Sequence, residues 1–92
     1  MKKSTLVERL SQRHPQLKPS DSKFVVEEVL DAMAGALADG RRIEIRGFGS
    51  FQPKYRPART GRNPRNGKIV EIPAKSVPHF KAGKELKKRV TD

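Results

Sequence analysis

Ten consecutive residues, Arg59-Thr60-Gly61-Arg62-Asn63-Pro64-Arg65-Asn66-Gly67-Lys68, cannot be drawn into a hydrophobic core. They hold four cations, no acid and no large apolar side chain. Any fold must leave this stretch outside and build its interior from what remains. The Asn66-Gly67 pair favours a tight hairpin reversal. Pro64, just before it, is the one compact apolar residue among the charges. A basic hairpin tip carrying a proline suits contact with nucleic acid better than catalysis.

The remainder is small. At 92 residues the chain is one domain at most, too short to bury a large fraction of its surface unaided. It has no cysteine and no cluster of metal ligands, so oligomerisation is the expected remedy. No apolar run is long enough for a transmembrane helix, and no apolar signal stretch is expected at the amino terminus.

Charge is placed unevenly. Residues 1–40 carry six Lys/Arg and six Asp/Glu, whereas residues 41–92 carry fifteen against four, a net of +11. Such a surface concentrates polyanions around it. A membrane-surface helix would need a basic segment with a broad apolar face. Here Gly, Pro and Asn interrupt the cations, which favours nucleic acid over membrane.

Leu6, Val7 and Leu10 recur at helical spacing, Thr5 and Glu8 stand in the capping-box relation, and Pro15 stops the run. Pro19, Ser20 and Asp21 open a longer helix with the stripe Val26, Val29, Leu30, Met33 and Leu37, closed by Gly40. Two antiparallel helices follow. Phe24 falls on the face of Glu27, Glu28 and Asp31, where it covers either a neighbouring element or a partner chain. From Arg42 to Arg46 polar and apolar residues alternate, so Ile43 and Ile45 face one way and Arg42, Glu44 and Arg46 the other. Gly47-Phe48-Gly49 reads as a reversal. Phe51 and Tyr55 begin the limb leading to the basic hairpin, Ile69 to Ile72 form the return limb, and Val77 and Phe80 rejoin the body. Pro53, Pro57 and Pro73 cannot donate ladder bonds, which predicts short, edge-like limbs. Gly83 to Val90 reads as a short basic helix.

Four groups of residues carry the chemistry. Lys54, Arg56, Arg59, Arg62, Arg65 and Lys68 place six cations in fifteen residues without an acid; a solvated loop is the bland alternative. Arginine dominates the tip, where its planar fork suits phosphates and base edges. Pro64 has two readings of equal standing: a turn starter after Asn63, or a rigid wedge between base pairs. Arg42, Glu44 and Arg46 form either a surface ion-pair ladder or an arginine set at a DNA groove, with Glu44 fixing its orientation. Lys81, Lys84, Lys87, Lys88 and Arg89 either attract phosphate or stabilise the helix end through its dipole. His14 and His79 have no motif partner, so no enzymatic chemistry is expected.

The segments Gly47-Phe48-Gly49-Ser50-Phe51, Arg59-Thr60-Gly61-Arg62-Asn63-Pro64 and Phe80-Lys81-Ala82-Gly83-Lys84-Glu85-Leu86 resemble the bacterial HU/integration host factor family, across essentially the full chain. The resemblance implies an α+β fold: a helical base, a short antiparallel sheet and a long β-ribbon arm, in an intertwined dimer. One domain over 1–92 would divide into a dimerisation base (1–40), a sheet and DNA-binding arm (41–80) and a basic helix (81–92). Pro64 matches the family's intercalating proline, flanked on the arm by Lys54, Arg56, Arg59, Arg62, Asn63, Arg65 and Lys68. The strand with Arg42, Glu44 and Arg46 is similar to that of the β-type subunit of integration host factor, where this patch reads sequence. Lys3, Lys75, Lys81, Lys84 and Lys87 complete the set as phosphate contacts along the flanks. Pro57-Ala58 and Ala82 depart from the usual pattern, in residues that set arm and loop stiffness.

The implied partners are double-stranded DNA and an α-type subunit, with a homodimer as the alternative; no membrane, small-molecule substrate, cofactor or metal is implied. The implied setting is the bacterial cytoplasm and nucleoid, in recombination, transcription, translation control and chromosome organisation. Two alternatives stand beside this reading: a nonspecific HU-like packaging homodimer, and an RNA-binding structural protein. The second lacks an aromatic platform for bases.

Overall fold

The computed structural model describes residues 1–91. The chain forms two compact units, Met1–Ala36 and a second that begins at Leu37. None of its described helices is long and apolar enough to cross a membrane.

The first unit contains α1 (Lys3–Arg13) and most of α2 (Pro19–Ala38). Contrary to the expected capping box at Thr5 and Glu8, α1 starts earlier, with Lys2 as its N-cap. The Lys2 N–H donates to Thr5 Oγ1 at 3.4 Å, so Thr5 closes the box from inside the helix. The earlier start adds a backbone bond from Leu6 N–H to the Lys2 carbonyl (3.1 Å), a gain that side-chain spacing does not reveal. The far end is as Pro15 dictates: α1 stops at Arg13, and His14 N–H bonds to the Leu10 carbonyl at 3.0 Å. Pro19 occupies the first position of α2, where no N–H is needed. Asp21 Oδ2 accepts from Lys18 N–H at 3.3 Å, and Gly40, at φ +80°, closes the helix with a bond to the Leu37 carbonyl.

The two helices run antiparallel, with Lys3 facing Glu27 at one end and Ser11 facing Ser22 at the other. Ser22 is fully buried, and the Ser11 hydroxyl donates to it at 2.8 Å, which removes the cost of burying either group unpaired. Val26 is buried beside it in sequence, one helical turn on. Leu6, Leu10, Val25, Val29 and Leu30 line an open apolar groove around Val26. Phe24 is 63 % exposed, so α1 does not cover it.

The second unit holds two sheets. β1 (Ile43–Ile45), β2 (Gly49–Arg56) and β5 (Lys75–Ala82) form an antiparallel sheet in the order β1-β2-β5. β3 (Arg59–Arg62) and β4 (Ile69–Ile72) form a separate two-stranded ribbon. The body is held by an aromatic cluster. Phe51 faces Phe80 across β2 and β5 with ring centroids 4.6 Å apart, and Phe48 sits 5.4 Å from Phe80. Gly49 is required by close approach: a Cβ there would lie 2.5 Å from the Lys81 carbonyl oxygen and 2.7 Å from the Phe80 ring. α3 (Lys84–Thr91) follows directly, with Gly83 N–H bonded to the Phe48 carbonyl at 2.9 Å.

Two expectations about the limbs need correction. β2 and β5 are eight residues each, not short, although both contain proline. Pro53 lies directly opposite Pro78, and β1 ends its pairing at Phe51, so the missing N–H of Pro53 faces no strand. Facing prolines fit at a non-hydrogen-bonded pair, where neither residue donates to the other. The reversal at the tip is also wider than a two-residue Asn-Gly turn. Arg62 pairs with Ile69, and residues 63–68 connect them. Asn63 organises this loop: its Oδ1 accepts from Arg65 N–H at 2.9 Å and its carbonyl from Gly67 N–H at 2.8 Å. Gly67, at φ +69°, supplies the left-handed step that ends it.

Candidate nucleic-acid interface

The arm begins where the prolines face each other. Beyond Pro53 and Pro78, Arg56 stands opposite Lys75, two like charges in register at the end of the β2–β5 ladder. Direct opposition of like charges is unfavourable unless an anion lies between or beside them. The ladder then breaks at Pro57-Ala58 and Pro73-Ala74 and resumes as β3–β4. At the break, Arg56, Arg59 and Lys75 line an open cleft with Pro57, Ile72 and Pro73. The cleft thus sets three cations beside an apolar floor.

Further out, Arg62, Pro64, Arg65 and Lys68 are all exposed. Pro64 sits at the first position of the turn that Asn63 starts, with its ring on the outside of the tip. This geometry serves both readings of Pro64, since a turn starter and a wedge need the same place. Asn63 is half-buried, and its side-chain oxygen is engaged within the turn. The arm has little to hold it but paired backbone: Tyr55, Ile69 and Val70 are exposed, and its one acid, Glu71, faces Thr60.

The strand-and-turn segment differs from the sequence expectation in extent. β1 spans only Ile43–Ile45, so Arg42 precedes it and Arg46 opens the turn. The reason is the register: Ile45 pairs with Gly49, which leaves Arg46-Gly47-Phe48 as a three-residue loop. Phe48 N–H closes it on the Ile45 carbonyl at 3.0 Å, with Gly47 at φ +83°. Arg42, Glu44 and Arg46 are exposed, and among the described residues the ion pairs found are Lys3–Glu27 and Lys23–Glu27, so no ladder joins the three.

Lys81 lies opposite Ser50, while Lys84, Lys87 and Lys88 share one face of α3 at helical spacing. Lys3 lies in the first unit, 3.9 Å from Glu27. Glu85 stands in the Phe80–Leu86 motif, which by itself assigns it no role. Its carboxylate rests on the Arg46–Phe48 turn, where a Cβ on Gly47 would lie 2.9 Å from Glu85 Oε2. The sequence signal was its isolation: it is the only acid between Lys81 and Thr91.

The family model described as "Bacterial DNA-binding protein" matches residues 1–91. Integration host factor subunit beta of Laribacter hongkongensis is 60% identical over 90 residues, covering 98% of this chain and 91% of that protein. The subunit of the same name from Nitrosospira multiformis is 59% identical over 90 residues, covering 98% and 96%. Among solved structures, an Anabaena HU–DNA cocrystal superposes with a TM-score of 0.87 at 34% identity, covering 98% of this chain and 97% of that one. HU from Thermotoga maritima gives a TM-score of 0.66 at 31% identity, covering 98% of both chains. The helices, the three-stranded sheet and the basic ribbon are thus those of the bacterial HU/integration host factor family of architectural DNA-binding proteins, not enzymes, to which this chain belongs.

Proposed function

We propose that this chain is the β-type subunit of a dimer that bends duplex DNA at preferred sequences. The observation that carries this reading is the tip of the ribbon, where an exposed proline is surrounded by cations and stands on a limb with almost no apolar packing. On DNA, Arg59, Arg62, Arg65 and Lys68 engage minor-groove phosphates and edges, Asn63 holds the turn, and Pro64 enters between base pairs. Lys54, Arg56 and Lys75 continue the contact down the arm. Unstacking costs a few kcal/mol per step, and wrapping the flanks onto Lys3, Lys81, Lys84 and Lys87 offsets it. Arg42, Glu44 and Arg46 supply sequence preference from the body.

The dimer follows from what the single chain leaves uncovered. Among the described residues only Val26 and Ser22 are buried, while Val29, Leu30, Ile45, Phe48 and Phe80 are each about 40 to 50 % exposed. A domain with so little interior is not stable alone. An intertwined partner with residues 1–40 as the shared base removes that surface. Relatives named integration host factor subunit beta favour an α-type partner over a second copy. The setting is the bacterial nucleoid, in recombination, transcription and translation control.

The test is affinity for a preferred duplex, selected from a randomised pool, against random duplex at one salt concentration. A preference of about a thousandfold or more is expected. Equal affinity would replace this reading with that of a nonspecific packaging homodimer, and tighter binding to structured RNA would replace both.

A further inference from the structure

We propose that Asn66 is a self-modifying site: its own backbone converts the side-chain amide to a carboxylate, and the conversion weakens the DNA grip of arms left free. The inference rests on the reading that the ribbon tip meets phosphates. The chain has two asparagines, and both stand in this tip. Asn63 precedes Pro64, which has no N–H to lose, so of the two only Asn66, followed by Gly67, can react with the next backbone nitrogen. Asn66 and Gly67 are exposed. Apart from sequence neighbours, nothing among the described residues lies within 4 Å of where a Gly67 Cβ would stand. Water and base reach the pair, and no distant atom crowds ring closure.

The step needs only water. Solvent base removes the Gly67 N–H proton, and the nitrogen attacks Cγ of Asn66. The new N–Cγ bond forms, the bond from Cγ to the side-chain nitrogen breaks, and that nitrogen leaves as ammonia with a proton from solvent. Water then opens the cyclic imide at either carbonyl, giving aspartate or, with the main chain routed through the side chain, isoaspartate. In sum an amide and a water become a carboxylic acid and ammonia, with no oxidation or reduction.

The hydrogen bonds of the tip act on this step in opposite directions. Lys68 N–H donates to Asn66 Oδ1 at 3.0 Å, at the oxygen on which negative charge develops during attack. Arg62, Arg65 and Lys68 in the same tip add a positive field that favours loss of the Gly67 proton. Against them, Gly67 N–H donates to the Asn63 carbonyl at 2.8 Å, and this bond must open before the nitrogen can attack. Asn63 is therefore the latch, and its side chain holds the same turn through Arg65 N–H at 2.9 Å. A duplex closed over the tip keeps the latch shut and excludes base. The product matters because of its place. From Lys54 to Lys75 the arm has seven cations and one acid, Glu71. A carboxylate at position 66, between Arg65 and Lys68 in sequence, opposes the phosphates they meet.

The test follows the intact dimer by peptide mass during incubation in mildly alkaline buffer, free and with saturating random duplex. The peptide holding Asn66 should gain the mass of an amide-to-acid change, with isoaspartate among its products. The rate should rise in proportion to hydroxide, fall about tenfold on duplex, and rise about threefold in Asn63→Ala. Asn66→Asp should weaken binding to random duplex about fivefold at low salt and less at high salt. Asn66→Ser keeps an oxygen for Lys68 N–H but has no amide, and should lose no affinity on incubation. An unaltered Asn66 overturns the inference. So does equal conversion with and without duplex, an unchanged rate in Asn63→Ala, undiminished binding in Asn66→Asp, or the same loss on incubation in Asn66→Ser. If Arg62→Ala leaves the salt slope unaltered, the reading that the tip meets phosphates fails, whatever the fate of Asn66.

Discussion

The ribbon tip and the Arg46–Phe48 turn are both reversals between antiparallel strands, yet they are built in opposite ways. The turn is three residues long, packed through Phe48 on Phe51 and Phe80, with Gly83 bonded to it and Glu85 against it. The tip spans residues 63–68 and is held by Asn63, Asn66 and backbone bonds, with no aromatic beneath it. A loop supported by its own hydrogen bonds can conform to whatever groove it meets. A loop packed against rings cannot, and must find a groove that fits. The difference teaches where support comes from: the tip is held by its own hydrogen bonds, the turn by the aromatic cluster beside it.

The largest expected effect breaks the rigid side of this comparison. Gly49→Ala places a Cβ against the Lys81 carbonyl and the Phe80 ring, backbone and packed side chain that cannot easily yield. It should cost about 3 kcal/mol and lower the thermal midpoint markedly. The mirror substitution, Gly67→Ala at the tip, meets nothing within 4 Å and is strained only by its φ of +69°. It should cost about 1 kcal/mol and leave the main melting transition in place.

The next effect concerns charge. Replacing Arg59, Arg62 and Arg65 together with alanine should flatten the salt dependence of random-duplex binding by about three counterion units. Arg62→Ala alone should flatten it by about one unit. Arg46→Ala should change that slope by less than one unit if the turn reads bases and not phosphates. A full unit lost there would blur the contrast. The smallest effect on DNA binding is expected from Ser11→Ala, far from either loop in sequence. It leaves the buried Ser22 hydroxyl without its partner and should cost about 1 to 2 kcal/mol of stability with no change in salt slope.

Much of this molecule was readable from residue order alone. The limb Ile69 to Ile72, the arrest of α1 before Pro15 and the opening of α2 at Pro19 all follow from local chemistry, and the structure has them there. What local chemistry could not supply was anything set by a partner strand. Pro53 argued for a short limb, but facing Pro78 it sits comfortably within a long one. Asn66-Gly67 argued for a two-residue turn, yet Asn63 starts the reversal earlier because its side chain bonds to Arg65. Arg46 read as a strand residue until the Ile45–Gly49 pairing placed it in the turn. The approach of Glu85 to Gly47 was not legible, because the two are distant in sequence and meet only in three dimensions.

The central claim is that the tip bends and the turn chooses. Its most direct test is the bend angle of an end-labelled duplex, measured by energy transfer at saturating protein for wild type, Pro64→Ala and Arg46→Ala. The account predicts a clearly smaller bend for Pro64→Ala, with affinity for random duplex reduced only a few-fold, and a bend near that of wild type for Arg46→Ala on a duplex it still saturates. An unchanged bend in Pro64→Ala would contradict the claim.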